Sequence, residues 1–270
     1  MKIVCVGDCG IDHYLPSDKL RFGGITANVA RQVRKQFPTG DEVHIVSCVG
    51  DDDGAGLVLS SLEATDIDCH IQRRTGATPV QYIEIQENGE KNFVRYEEGV
   101  LRDFAFDPDA RALIAESDLL IAPVYSQIVD LYDDLMRIET AGLTAIDFAD
   151  FLQHPDFALL DRHLDNIDVG FFGLSTNDVA AISHLQRLAS ETGKLLVVTL
   201  GADGSRAFTG DKCFDCPAIA VDKVVDTTGA GDAYAAAFLA RYCQGDEIIE
   251  SMQYGGEVAA DVVTKLGSWS

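Results

Sequence analysis

The sequence predicts an α/β protein whose mainly parallel sheet is wound by helices on both faces, with one small β appendage. Three observations carry this. Between residues 118 and 200, short apolar runs alternate with helix-length stretches, the rhythm of successive strand–helix–strand units. From Cys69 to Glu98 that rhythm is broken by two extended runs joined through an Asn-Gly pair. Near the carboxyl end, Asp226-Thr227-Thr228-Gly229-Ala230-Gly231-Asp232 opens a helix made of small and aromatic residues. At 270 residues the chain suits one large α/β domain over residues 1–270, with a lid formed discontinuously by about 12–22 and 69–98.

Composition narrows the classes of partner. There are 44 acidic and 21 basic residues, a net charge of -23, and no run of Lys or Arg offsets it. Such a field repels nucleic acid and anionic membrane surfaces, so neither is expected to bind. The seven cysteines, Cys5, Cys9, Cys48, Cys69, Cys213, Cys216 and Cys243, are odd in number and scattered, as in a reduced intracellular protein. Cys213 and Cys216 have CxxC spacing but lie in an expected hairpin without a second ligand pair, so no metal site follows. The apolar run at the amino terminus is too short for a signal peptide, and none approaches the roughly 20 residues of a membrane helix. A cytoplasmic location is expected.

Taken in order, residues 3–7 read as a buried parallel strand ending in glycine. Gly7-Asp8-Cys9-Gly10 lacks the third glycine of a dinucleotide fingerprint and opens no helix, which argues against a nicotinamide enzyme. The chain then passes Asp12 and a polar stretch to reach Phe22-Gly23-Gly24. A helix is expected over 25–37, with Ile25, Val29, Ala30 and Val33 on one face and Arg31, Arg34 and Lys35 on the other. Gly23 and Gly24 allow a small ligand to approach the backbone at its start, and Asn28 projects into the same space; a tight turn before an ordinary helix would use the same residues. A strand over 43–49 follows. Gly50-Asp51-Asp52-Asp53-Gly54 then opens a helix to about Thr65, its acids complementing the dipole.

The hairpin is expected over 80–86 and 91–96, turning at Asn88-Gly89. Val80 and Tyr82 fall on one face, Ile83 and Ile85 on the other. A free lid needs one apolar face, so either one side covers substrate while the other pairs with a second subunit, or the same chain covers both.

Further strands and helices are expected over 118–122, 130–140, 143–148, 168–172, 176–192 and 195–200. Ligands of such sheets gather at the carboxyl ends of strands, where Asp12, Asp147, Asn177, Thr199 and Asp232 are all expected. Thr199-Leu200-Gly201-Ala202-Asp203-Gly204 permits a tight turn against a flat ligand. Residues 205–220 read as a hairpin, 221–225 as an apolar strand, and 248–265 as a final helix. At 229–232, two glycines around one alanine leave the first amides of a helix unshielded at the positive end of its dipole, so a phosphate can reach them. Asp232 stands in that first turn, able to accept the proton of a hydroxyl attacking phosphorus. An ordinary capped helix carries a similar glycine and acid.

The unbroken string from Asp226 to Asp232 resembles the D-T-x-G-A-G-D signature of the PfkB carbohydrate kinases, the ribokinase-like family. The resemblance implies a three-layer α/β/α fold with a small β lid. It also implies ATP as phosphoryl donor with Mg²⁺, and leaves a monovalent cation open. Within it Asp232 is the catalytic residue, with Gly229, Ala230 and Gly231 stabilising the transferring group. Asp12, Gly23, Gly24 and Asn28 grip the sugar, with Arg95 as a further substrate contact. Thr199, Gly201, Gly204, Thr228 and Asn177 serve the nucleotide. Two positions depart from the pattern: Ile25 replaces an Asn found in some sugar kinases, and Ala180 replaces the Glu of the N-x-x-E element that organises Mg²⁺. Asp178 could serve there through water, and the metal ligands stay unassigned. In a chain of net charge -23, the anion ATP needs Mg²⁺ and helix amides to offset the field.

Residues 95–100, 146–150 and 267–269 resemble the fructoselysine 6-kinase branch in particular. That implies transfer to a primary hydroxyl of a sugar or fructosamine such as fructoselysine, giving a 6-phosphate; pairing of the hairpin's second apolar face with another subunit would make a homodimer through the lid. Fructokinase, ribokinase or nucleoside kinase activity, or a sugar or nucleotide sensor without turnover, are the alternatives.

Overall fold

The structure is a computed structural model that describes residues 1–85, 91–149 and 157–265. The chain divides into two compact units, Met1–Leu120 with Gln127–Ala141, and Ile121–Ser126 with Gly142–Ser270.

The first unit runs β1 (Lys2–Val6), β2 (Gly10–Leu15), β3 (Lys19–Gly23), α1 (Ile25–Gln36), β4 (Glu42–Val49), α2 (Asp53–Glu63), β5 (Asp68–Arg73), β6 (Val80–Ile85), β7 (Lys91–Glu97) and α3 (Pro108–Ala115). Strand β8 (Leu119–Val124) carries the chain out of this unit, and α4 (Val129–Leu135) belongs to it again. β1, β4 and β5 pair in parallel, Cys5 beside Ile45 and Ile45 beside Cys69. Residues 3–6 of β1 are fully buried, which is why its sequence is a continuous apolar run and not an alternating one. A separate four-stranded sheet has the order β3-β2-β6-β7, with β2 and β6 parallel and the outer pairs antiparallel.

The second unit continues with β9 (Leu143–Phe148), α5 (Phe157–His163), β10 (Val169–Gly173), α6 (Val179–Thr192), β11 (Leu195–Thr199), β12 (Ser205–Thr209), β13 (Lys212–Cys216), α7 (Ala230–Tyr242) and α8 (Ile248–Val262). β9, β10 and β11 are parallel, and the hairpin β12–β13 adds antiparallel strands at the edge. Successive β10 residues serve opposite faces: Phe171 meets Phe238 of α7 edge-on at 5.6 Å, while Phe172 stacks on Phe148 at 4.7 Å. Helix α7 is buried from Asp232 to Ala240, and its run of alanines lets α8 approach closely. A Cβ on Gly255 of α8 would stand 3.1 Å from the ring of Tyr234.

Several expectations need correction. Residues 221–225 form no strand: Val224 and Val225 are about half exposed, and the amides of Val225 and Asp226 donate to the Val263 carbonyl after α8. Asp222 and Lys223 interrupt the apolar run, and no described strand lies beside it. Residues 68–73 pair with β4 in the larger sheet, so the small sheet takes only 10–15, 19–23, 80–85 and 91–97. Helix α4 stops at Leu135, short of the expected 140. Helix α3 was not expected, although Asp107 caps it at 2.8 Å from the Ala110 amide and Pro108 starts it. The turn at Asn88-Gly89 and residues 267–269 lie outside the described residues.

Candidate active site

In the first unit, the stretch between β1 and α1 builds one constellation. Asp8, just past β1, accepts from the amides of Ile25 and Thr26 at 3.1 Å each and from the Thr26 hydroxyl at 3.3 Å. It thereby caps α1 from 17 residues away, a task Gly24 at the cap position has no side chain to perform. Burial pushes the Asp8 carboxyl up from its ordinary value, against the pull of these donors. Gly24 has φ of 107°, and a Cβ there would stand 2.7 Å from the Asp8 carbonyl oxygen. A Cβ on Gly23 would stand 2.2 Å from Asp12 Oδ1, so the Asp12 carboxylate lies directly on the bare glycine backbone. Asn28, also buried, sits in the first turn of α1 with its amide on the Gly24 carbonyl at 3.0 Å. Asp12, Gly23, Gly24 and Asn28 are thus held around one glycine turn. Asp12 lies inside β2 and not beyond the end of a strand of the larger sheet.

Arg95 does not join them. The ladders place Asp12 beside Gln81 and Gln81 beside Tyr96, whereas His13 is beside Tyr82 and Tyr82 beside Arg95. Paired residues share a face and neighbours alternate, so Asp12, Gln81 and Tyr96 occupy one face and His13, Tyr82 and Arg95 the other. Arg95 lies over the Tyr82 ring at 4.1 Å and pairs with Glu97 at 3.1 Å. Asp52, in the acidic run after β4, caps α2 through the Ala55 amide and also accepts from the Thr78 amide at 2.9 Å. It fixes the entry to β6, beyond complementing a dipole.

In the second unit, Asp226 Oδ1 accepts from the Thr228 amide at 2.9 Å and the Thr228 hydroxyl at 2.7 Å, folding the Thr-Thr-Gly turn. Gly229 has φ of 77° at the cap of α7 and contributes no capping side chain. A Cβ on Gly231 would meet nothing within 4 Å, so the fold does not demand glycine there; its absence of a side chain leaves the helix-start amides open. Asp232, the third helical residue, is 9% exposed.

Thr199 ends β11 and is followed by a turn closed by Leu200 amide to Gly204 carbonyl at 2.8 Å. Gly201 faces open space, but Gly204 has a structural duty, since its Cβ would stand 2.2 Å from the Cys216 carbonyl. Thr176 donates to Asp203 at 3.1 Å and joins this turn to the loop carrying Asn177. Asn177 is exposed; the Asp178 carboxylate accepts from the Ser175 amide at 2.7 Å, closing its own loop. Among the described residues no group of three or more His, Cys, Asp or Glu side chains is placed to hold a metal ion. Asp147 stands beside Phe171 in the β9–β10 ladder, so its side chain takes the sheet face that α7 covers; burial raises its carboxyl to about 7. Asp8 and the Gln81–Tyr96 pair were not singled out from sequence; the only signal for Asp8 was a Gly-Asp step after the first strand.

A profile of the pfkB family carbohydrate kinases matches residues 1–133 and 159–270. A fructoselysine 6-kinase of Shigella flexneri is 30% identical over 269 residues, covering 99% of both chains. A fructosamine kinase of Bacillus subtilis is 28% identical over 274 residues, covering all of this chain and 93% of its own. Among solved structures, a nucleoside kinase of Methanocaldococcus jannaschii superposes with a TM-score of 0.81 at 22% identity, covering 100% of this chain and 93% of that one. A ribokinase of Thermotoga maritima gives 0.81 at 23% identity, covering 99% and 94%. The fold is therefore ribokinase-like, α/β with a mainly parallel sheet and a second small sheet.

Proposed function

The chain belongs to the pfkB family of carbohydrate kinases, and from that premise we propose that it transfers the γ-phosphoryl group of ATP to a primary hydroxyl of a fructosamine such as fructoselysine. The observation that carries the reading is Asp232 in the first turn of α7, behind a glycine pair whose second member leaves open space above the helix amides. Asp232 orients the acceptor hydroxyl and takes its proton; the amides of Gly229, Ala230 and Gly231 receive the charge on the transferring group. In a loose transition state the proton leaves late, so positioning outweighs basicity.

On this reading the first-unit constellation holds the sugar, with Asp12 and Asn28 on its hydroxyls and Tyr96 taking the place expected of Arg95. The turn from Thr199 to Gly204, with Thr228 and Asn177, serves the nucleotide. Mg²⁺ carried on the ATP phosphates would neutralise their charge, and the described side chains do not assemble a site for it alone. The small sheet is a lid that keeps water from the acceptor.

Leu20, Ile85, Phe93 and Val94 of the small sheet are each about half exposed, and this supports pairing with a second copy of the chain through the lid. Seven cysteines, none of them in a disulfide, fit a reducing cytoplasm, and no helix among the described residues is long and apolar enough to cross a membrane.

A coupled assay with fructoselysine, fructose, ribose and adenosine tests the activity. Fructoselysine is expected to give the highest kcat/KM. Turnover of adenosine or ribose alone would replace this acceptor, and turnover of none of the four would favour a sensor.

A further inference from the structure

The face of the small sheet that carries Asp12 also carries two cations. Arg21 of β3 stands directly beside Asp12 in the β2–β3 ladder, and Lys19 beside Tyr14. Arg21 is exposed, and its guanidinium lies 5.5 Å from the centre of the Tyr14 ring. Neither Arg21 nor Lys19 forms an ion pair with a described carboxylate, in a chain where acids outnumber bases 44 to 21. The opposite face is arranged differently. There Arg95 pairs with Glu97 at 3.1 Å and the His13 ring hydrogen-bonds Asp18 at 2.6 Å, so the basic groups of that face already have partners.

A guanidinium resting on an aromatic ring keeps its N–H edges free, and that fork matches a carboxylate in two parallel hydrogen bonds. Tyr14 lies two residues beyond Asp12 along β2, about 7 Å at the rise of an extended strand. A carboxylate held over Tyr14 is therefore displaced by several bonds from hydroxyls held by Asp12. Resting on the kinase reading above, we infer that Arg21 selects substrates by binding a carboxylate on the amine portion of the sugar adduct, at the distance a lysine side chain provides. The chain is then a kinase of fructosyl amino acids with a long spacer, and discriminates against fructosamines of simple alkylamines.

The test compares wild type, Arg21→Gln and Arg21→Lys on fructoselysine and on the fructosamine of an alkylamine of the same length lacking the carboxylate. In wild type, fructoselysine is expected to have the higher kcat/KM. In Arg21→Gln the ratio of the two kcat/KM values falls about tenfold or more, through KM for fructoselysine, as loss of a charged hydrogen bond requires. Arg21→Lys recovers part of the ratio. An unchanged ratio in a variant with wild-type thermal unfolding overturns the inference while leaving the kinase reading intact. Absence of turnover on both substrates by wild type removes the kinase reading and this inference with it.

Discussion

Asp12 and Gly23 are in contact across the β2–β3 ladder, the carboxylate lying where a Cβ of residue 23 would be, 2.2 Å from Oδ1. The glycine therefore sets the position of an acid, and the three atoms nearest a Cβ there all belong to the Asp12 carboxyl group, the end of one side chain. Gly23→Ala should leave the fold intact and displace the carboxylate, raising KM for the sugar about 10- to 100-fold while KM for ATP stays near wild type. Steady-state kinetics with each substrate varied checks it. An unchanged sugar KM would detach Asp12 from sugar binding.

The two faces of the small sheet make a second pair of expectations. Arg95→Ala removes only an exposed pair and a ring contact on the face away from Asp12, so its effect on sugar KM should stay within about twofold. Tyr96→Ala, on the Asp12 face, should raise that KM by more. The reverse order would mean that Arg95, and not Tyr96, touches substrate.

Exposed apolar residues on that sheet predict self-association. Changing Leu20, on the face away from Asp12, to Asp should convert a dimer to a monomer in sedimentation velocity, because a charge would enter an apolar contact. Wild type sedimenting as a monomer would end the proposal.

Asp147 predicts a pH dependence of stability. Its folded carboxyl is raised to about 7 by burial, against about 3.9 in an unfolded chain. Between those values the folded state holds a proton that the unfolded state has released. Its contribution is thus fully present below about pH 4, and falls as pH rises toward 7. Asp147→Asn removes this loss, so the difference in Tm between variant and wild type should grow in the variant's favour from pH 5 to pH 8. A constant difference would show that Asp147 is already ionised when folded.

How much of this was legible in the sequence depends on what each feature requires. The parallel strands were readable because two-sided burial leaves continuous apolar runs, and the α7 site because its glycines and acid are adjacent in sequence. Arg95 and Tyr96 could not be told apart, since facing is set by the parallel pairing of β6 with β2, strands 65 or more positions apart whose register no local pattern records. Asp8 escaped for a similar reason: a cap supplied from 17 residues away leaves no motif at the helix it caps. The false strand at 221–225 arose from apolar residues that the fold leaves half exposed, and Gly204 looked like a nucleotide glycine although close packing on β13 already requires it.

The central claim is that Asp232 handles the acceptor hydroxyl, and Asp232→Asn tests it most directly. The rate of sugar phosphate formation in a single turnover should fall by about 10³-fold or more, with ATP affinity by calorimetry within a few-fold of wild type. A variant that retains the wild-type rate would contradict the claim and remove Asp232 from the reaction.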